Sequence, residues 1–182
     1  LNSFFYLSPW IVLFLIPAIT MKSFADELNT GTIETLRTKP ITDWQIVLGK
    51  FTASLLLIIV ALAPTLTYVY TIIQLGNPVG NIDLGSTIGS YIGLLFLAAT
   101  YTSIGLFTST FSKNQIVAFI LGVFIDAIAG LFPENSYTIQ LLGINEHFKS
   151  ISRGVIDTRD VLYFISLSVF FLLLTKNQLR NV

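Results

Sequence analysis

The stretch "ADELNTGTIETLRTKPITDWQIVLGK", residues 25–50, lies between two long runs that carry no charge, and the nature of those runs decides the fold. Counting Lys22, this elbow holds four acids (Asp26, Glu27, Glu34, Asp43) and four bases (Lys22, Arg37, Lys39, Lys50). Charge is absent from residues 1–21 and 51–82 on either side of it, and again from 84–112 and 161–175. A further apolar run, 114–133, holds a single acid, Asp126. A helix needs about 20 mostly apolar residues to cross the hydrocarbon core of a bilayer. The first three runs satisfy this outright, and 114–133 does so if Asp126 is tolerated. Run 161–175 is short, and spans by snorkelling Lys176 and extending through its polar ends. These runs predict an all-α, polytopic transmembrane helical bundle in one domain, residues 1–182, with spans at about 4–21, 47–74, 86–108, 114–132 and 160–176. The elbow occupies 22–46, and outer loops occupy 75–85 and 133–159. A four-span arrangement, with 161–175 lying in the interface, is the alternative.

Composition points the same way. The 182 residues are 53% hydrophobic and only 11% charged, with a mean hydropathy of +0.77, against about 25% charged in an ordinary soluble domain. The chain has no cysteine, which excludes disulfides and thiolate metal sites. A net charge of zero argues against nucleic acid as a partner. The sequence starts at Leu1 with no basic residue before its first apolar run, which is not the pattern of a signal peptide. It is expected to begin inside a longer protein. Five spans place Lys22, Arg37, Lys39, Lys50, Lys113, Lys176 and Arg180 on one side and Lys149, Arg153 and Arg159 on the other. By the positive-inside rule the elbow and the C-terminus are expected to be cytoplasmic.

Within the elbow, Ser23 with Asp26 three residues on resembles a capping box, opening a short helix whose Phe24 and Leu28 share a face. Gly31 interrupts that helix. Ile33 and Leu36 form a second apolar pair at helical spacing, and Pro40 stops the turn. Thr42 with Gln45 is another capping box and starts the helix that enters the membrane through Trp44, Ile46 and Val47. The predicted elbow is two short amphipathic helices lying across the end of the bundle. An interfacial lipid anchor, with Trp44 as a belt residue, is one reading. Balanced charge favours a protein partner instead, since helices on lipid surfaces usually carry net positive charge.

The elbow resembles the signature of the ABC-2 type transporter permeases. In that pattern an acidic pair (Asp26, Glu27) precedes Gly31, Thr32, Ile33 and Glu34; Leu36 and Pro40 follow, and Gly49 and Lys50 close the segment. "LGNPVGNIDLG", "GSYIGLLFLAATYTSIGLF", "KNQIVAF" and "HFKSISRGVIDTRDVLYF" resemble one branch more closely, the gliding motility-associated ABC transporter permease subunit of the GldF type. The resemblance implies that the elbow is a coupling helix seated in a groove of a separate cytoplasmic ABC ATPase subunit, with Asp26, Glu27, Gly31, Thr32, Ile33, Glu34, Leu36 and Pro40 as the coupling residues. It implies six helices, of which this chain matches the second to the sixth, so an N-terminally incomplete permease is expected. It further implies a multi-pass protein of the bacterial inner membrane, in contact with lipid and paired with a second permease as a homo- or hetero-dimer. ATP and Mg are then bound by the partner ATPase, with no cofactor on this chain and no catalytic site of its own. Related expectations are permeases for drug export or copper-enzyme maturation and, from a different class, a non-transporting membrane scaffold for envelope assembly.

Other patterns lead nowhere chemically. Gly49-Lys50 is not a phosphate-binding loop, because Trp44 stands where the first glycine is required and Phe51 where Ser or Thr is required. His147, the only histidine, has no paired ligands in the sequence and reads as a surface residue rather than a metal ligand. Neither Gly-x-Ser-x-Gly nor His-Glu-x-x-His occurs, so an intramembrane hydrolase has no motif. Three features inside the spans remain. Gly85, Gly89 and Gly93 form a small-residue ridge that lets a helix approach closely, either within the subunit or across a dimer. Pro64 bends its span and frees a carbonyl. Asp126 is costly in hydrocarbon, and is expected either to face the bundle interior or to sit near the outer end as a possible functional acid.

Overall fold

A computed structural model describes residues 2–76, 83–130 and 143–181, and among them all regular structure is helical. The helices are α1 (Asn2–Thr20), α2 (Lys22–Thr30), α3 (Thr32–Arg37), α4 (Asp43–Leu62), α5 (Thr65–Leu75), α6 (Leu84–Ser109), α7 (Gln115–Gly130), α8 (Ile144–Ser152) and α9 (Thr158–Asn181). The chain is thus an all-helical bundle. Four stretches are long and apolar enough to cross a membrane: Ser3–Thr30, Asp43–Leu75, Leu84–Ser109 and Thr158–Arg180; α7 supplies a shorter apolar helix. Residues 77–82, in the first expected outer loop, and 131–142, in the second, lie outside the described residues.

Helix α6 is the axis of the bundle. Helices α1, α4, α7, α8 and α9 all pack on it. Leu94, Leu97, Ala98, Tyr101 and Ile104 are fully buried, and so are Thr100, Thr102, Ser103 and Ser109 on its other faces. The hydroxyls make this possible without stranded polar groups: Thr102 donates to the Ala98 carbonyl (2.6 Å), Ser103 to Thr100 (2.7 Å), Thr108 to Gly105 (3.0 Å) and Ser109 to Leu106 (2.7 Å). Small side chains then permit close backbone approach, the main source of helix association in lipid. Gly105 takes the Thr20 side chain of α1 against its Cα, and Gly122 of α7 lies on Pro17. The apolar run at 161–175 sits inside a 24-residue α9, because its polar flanks are helical too. At 1.5 Å per residue that is about 36 Å, ample for a crossing. Phe164, Leu172 and Thr175 of α9 are buried, and Thr100 and Ser168 share a hydrogen bond (3.2 Å) between α6 and α9.

The second span breaks at Ala63–Pro64, between α4 and α5. Proline supplies no N–H, and the following amides shift to nearer acceptors: Leu66 donates to Ala63 (3.1 Å) and Thr67 to Pro64 (3.1 Å). The Thr65 hydroxyl covers the Leu62 carbonyl (2.6 Å) and also bonds the Tyr91 hydroxyl of α6 (2.9 Å). The Leu62 carbonyl, released when the Leu66 amide turns to Ala63, therefore has a side-chain partner.

Two local expectations need correction. Ser23 does not cap a helix: Met21 has helical angles and its amide bonds the Pro17 carbonyl (2.8 Å), so α2 continues α1 instead of starting afresh across the bundle end. Residues 133–159 are not wholly a loop either, because α8 lies in their second half. Ile144, Phe148 and Ile151 make its buried stripe, packed on α6. The glycine ridge receives this helix. A methyl group at Gly89 would meet the Ile151 carbonyl oxygen at 2.6 Å and the Gly154 Cα at 2.9 Å; at Gly93 it would meet Phe148 at 3.2 Å. Gly85 faces Gly154, whose φ of 85° is in the left-handed region. Ser86 and Ser90 donate to the Ser152 carbonyl (2.8 and 3.3 Å), finishing the end of α8. The ridge at Gly89 and Gly93 is thus covered within the subunit.

Gly89→Ala should destabilise the protein by about 1–3 kcal/mol, near the upper end, because the added methyl meets backbone that cannot rotate away. Gly49→Ala, with nothing within 4 Å of the added methyl, should be neutral or stabilising. Thermal unfolding of the two variants in one detergent checks this. Equal melting temperatures would contradict the close packing of α8 on α6.

Candidate functional site

Sequence reading singles out the elbow, and local rules explain its shape. Gly31, with φ 71°, ends α2 and begins α3 in the left-handed conformation that a side chain resists. The Thr30 hydroxyl bonds the Asp26 carbonyl (2.8 Å) and pairs with that of Thr32 (2.9 Å), so both sides of the turn are held. Helix α3 lasts six residues and closes on Thr38, whose amide reaches the Glu34 carbonyl (3.2 Å). Pro40 follows, and the Thr42–Gln45 capping box starts α4: the Gln45 amide donates to the Thr42 hydroxyl (3.4 Å) and the Thr42 amide to Gln45 Oε1 (2.9 Å).

Beneath this turn lies an apolar cluster of its own. Phe24, Leu28, Ile33, Ile46 and Val47 pack with Leu106 of α6 and Leu172 and Leu179 of α9, with Leu36, Trp44 and Phe51 partly buried against them. Polar contacts add to it. Lys50 Nζ donates to Glu27 Oε1 (2.6 Å) and to the Ser23 carbonyl, and lies 4.7 Å from the centre of the Phe24 ring. Gln115 of α7 donates through Nε2 to Asp26 Oδ1. Lys176 of α9 lies over the Trp44 ring at 5.2 Å. The elbow is therefore continuous with α1 and α4 and joined by side chains to α6, α7 and α9.

The structure divides the sequence-selected residues into two groups. Asp26, Glu27, Ile33 and Leu36 turn inward, while Gly31, Thr32, Glu34 and Pro40 are exposed, with Thr35, Thr38 and Lys39 beside them. The expectation that Ile33 fills a partner's groove is corrected: its side chain is part of the chain's own core, and Leu36 is half-buried against that core. Asp26 and Glu27 likewise have partners within the chain. Lys50 was legible only as the end of a motif. Its role comes from contacts 23 and 27 residues away in sequence, which no local rule anticipates.

Away from the elbow, Asp126 faces the bundle interior and is fully buried on α7. His147 is not a surface residue: its Nδ1 lies 2.6 Å from Asp160 Oδ1, and its ring stacks on Tyr163 with centroids 4.0 Å apart. Gly85, Gly89 and Gly93 sit at the end of α6 remote from the elbow. Among the described residues no group of three or more His, Asp or Glu side chains could hold a metal ion.

The family model described as "ABC-2 family transporter protein" matches residues 5–150, well over half of the chain and including the entire elbow. No curated protein and no solved structure matches.

Lys50→Met should cost about 1–3 kcal/mol, the scale for stranding a buried polar partner, here the half-buried Glu27. Glu27→Gln in the same chain should recover part of the loss, because the stranded charge is then gone. Thermal unfolding of both single variants and the double variant measures the coupling. Additive losses would mean that the two side chains do not depend on one another.

Proposed function

Since the chain belongs to the ABC-2 family of transporter proteins, and is thus a multi-pass membrane component of an ABC transporter, we propose that its elbow is the contact with a separate cytoplasmic ATPase subunit. The observation that carries this reading is the division of the elbow into a fastened inner side and an exposed outer side. The α3 face bearing Thr32, Glu34 and Thr35, with Thr38 to Pro40 after it, is the surface that meets the ATPase. Asp26, Glu27, Ile33 and Leu36 hold that surface in place from beneath.

The cycle follows from this arrangement. ATP and Mg bind to the ATPase, and two ATPase subunits close. The closing motion pushes on α3, and the inner fastenings carry it into α1, α4, α6, α7 and α9 together. A pair of permeases, identical or related, thereby changes which side of the bilayer its shared interior faces. The elbow and the C-terminus lie in the cytoplasm, where most of the basic residues fall, and the bacterial inner membrane is the site of action. The likeness of "HFKSISRGVIDTRDVLYF" and its companions to the gliding-motility branch supports export, or force transmission, toward an envelope process.

Glu34→Ala should leave insertion intact and weaken the ATPase contact by about 1–3 kcal/mol, read as recovery of the ATPase with the tagged full-length permease and as ATP hydrolysis by the complex. Wild-type recovery and turnover would turn the elbow into a lipid anchor. Orientation is tested separately, using the absence of native cysteine. In intact cells an impermeant thiol reagent should label Glu146→Cys but neither Asn29→Cys nor Asn177→Cys. The reverse pattern would invert the topology.

A further inference from the structure

Asp126 has no part in the proposed cycle, and its surroundings are specific. It is fully buried, and among the described residues neither of its carboxylate oxygens has a hydrogen-bond partner. It lies 11 residues along α7 from Gln115, about 16 Å into a helix whose first residue is bonded to the elbow. That depth is near the middle of the hydrocarbon. A carboxylate there with nothing to neutralise it is disfavoured by a few kcal/mol, and such residues in membrane proteins usually serve an ion or proton path.

The elements packed against α7 supply no cation to answer it. Helix α6 brings Tyr101, fully buried in the cluster against which Ile125 and Ala127, the neighbours of Asp126 on α7, are packed. The sole titratable side chain of α1, Tyr6, is exposed. Helix α2 brings Lys22, Asp26 and Glu27 at the elbow end, where Asp26 is held by Gln115 and Glu27 by Lys50. Helix α8 brings Glu146 and Lys149, exposed and paired with one another (2.7 Å), and His147.

From Tyr101 the titratable groups continue toward the end of the bundle remote from the elbow. Tyr101 belongs to the buried cluster against which Tyr163 of α9 packs. Tyr163 stacks on His147, and His147 pairs with Asp160 in the first turn of α9, whose second oxygen is buried without a partner. Five groups that bind or pass protons thus lie in or beside one packed cluster between the first turn of α9 and Asp126. The packing around Asp126 favours the smallest ligand. One turn before it on α7, a methyl at Gly122 would already meet Pro17 at 3.2 Å and Thr108 at 3.3 Å.

We propose that Asp126 is a proton-binding site loaded from the side of the membrane opposite the elbow, through Asp160, His147, Tyr163 and Tyr101. In the conformation described here its carboxyl carries the proton. An elbow-driven movement of α7 against α6 exposes the group to water, and the O–H bond breaks with the proton leaving to that water. On return, a proton from the outer end re-forms the bond. This cycle rests on the permease reading; the site itself does not.

The site is therefore tested first without the ATPase. Infrared difference spectra of the full-length protein in phospholipid bilayers should contain a protonated-carboxyl C=O band at neutral pH that shifts in D2O. Asp126→Asn should abolish the band, and Tyr163→Phe should keep it while slowing its hydrogen–deuterium exchange several-fold. A wild-type spectrum without the band overturns the proposal, as does a band that survives in Asp126→Asn. A band that disappears on adding sodium at fixed pH would make the site a metal-cation site and overturn it too. Should Asp126→Asn fail to fold, the wild-type band and its exchange rate in Tyr163→Phe decide. With the ATPase in proteoliposomes, ATP should change the band. An unchanged band under active hydrolysis refutes the linkage to the cycle, whereas a complex that neither assembles nor hydrolyses ATP refutes the permease reading and leaves the infrared result standing.

Discussion

The structure depends on how closely other helices can approach α6. Lipid tails are as apolar as leucine side chains, so helices in a bilayer gain little by hiding apolar surface from water, and tight packing must hold them together. Helix α6 meets that demand with Gly89, Gly93 and Gly105 at the contact points and with hydroxyl residues whose donors are absorbed by their own helix. At one end it accepts α8 against bare backbone, and toward the elbow it accepts Thr20 of α1. The outward faces of the other spans, such as Leu56, Leu57 and Val60 on α4, are left for lipid.

This central helix gives the elbow something to act on. A segment carrying four acids and four bases cannot sink into hydrocarbon, yet its apolar side chains need cover from water. The contacts resolve this by engaging three of the charges with specific neighbours: Lys50 with Glu27, and Asp26 with Gln115. Ile33 and Leu36 then anchor α3 to the cluster shared with α6 and α9. Glu34 and the threonines around it are left facing outward, free to meet another protein.

Pro64 divides the second span between these two systems. Its α4 half is tied to α2 by Lys50, while its α5 half is tied to α6 by the hydroxyl pair Thr65–Tyr91. The bend carries its own hydrogen-bond repair in Thr65 and Thr67. It lies where the elbow's attachments give way to those of the remote end.

Much of this was legible in the residues, because the rules involved are local. The apolar runs required a bundle of helices; Gly31, Pro40 and the Thr42–Gln45 pair set the turns of the elbow; Pro64 broke its span. Each depends on backbone chemistry within about four residues. Where a local rule failed, a longer-range fact had overridden it. Ser23 could have capped a helix, but the chain was already helical through Met21 and offered no free amides there. The stripe Ile144, Phe148, Ile151 is at helical spacing in the sequence, yet it lies in a segment whose three basic residues point to a loop between spans. Only the glycine face of α6 gives that stripe a place to be buried. Sequence could select Ile33 and Asp126 as residues to watch and set His147 aside as a surface residue, but not what each faces. An apolar side chain fits its own core or a partner's groove equally well, and a carboxyl is charged, paired or protonated according to neighbours on other helices. The tertiary structure alone brought those neighbours together: Leu106 and Leu179 to Ile33, Asp160 and Tyr163 to His147, and the cluster around Tyr101 to the stretch of α7 that holds Asp126.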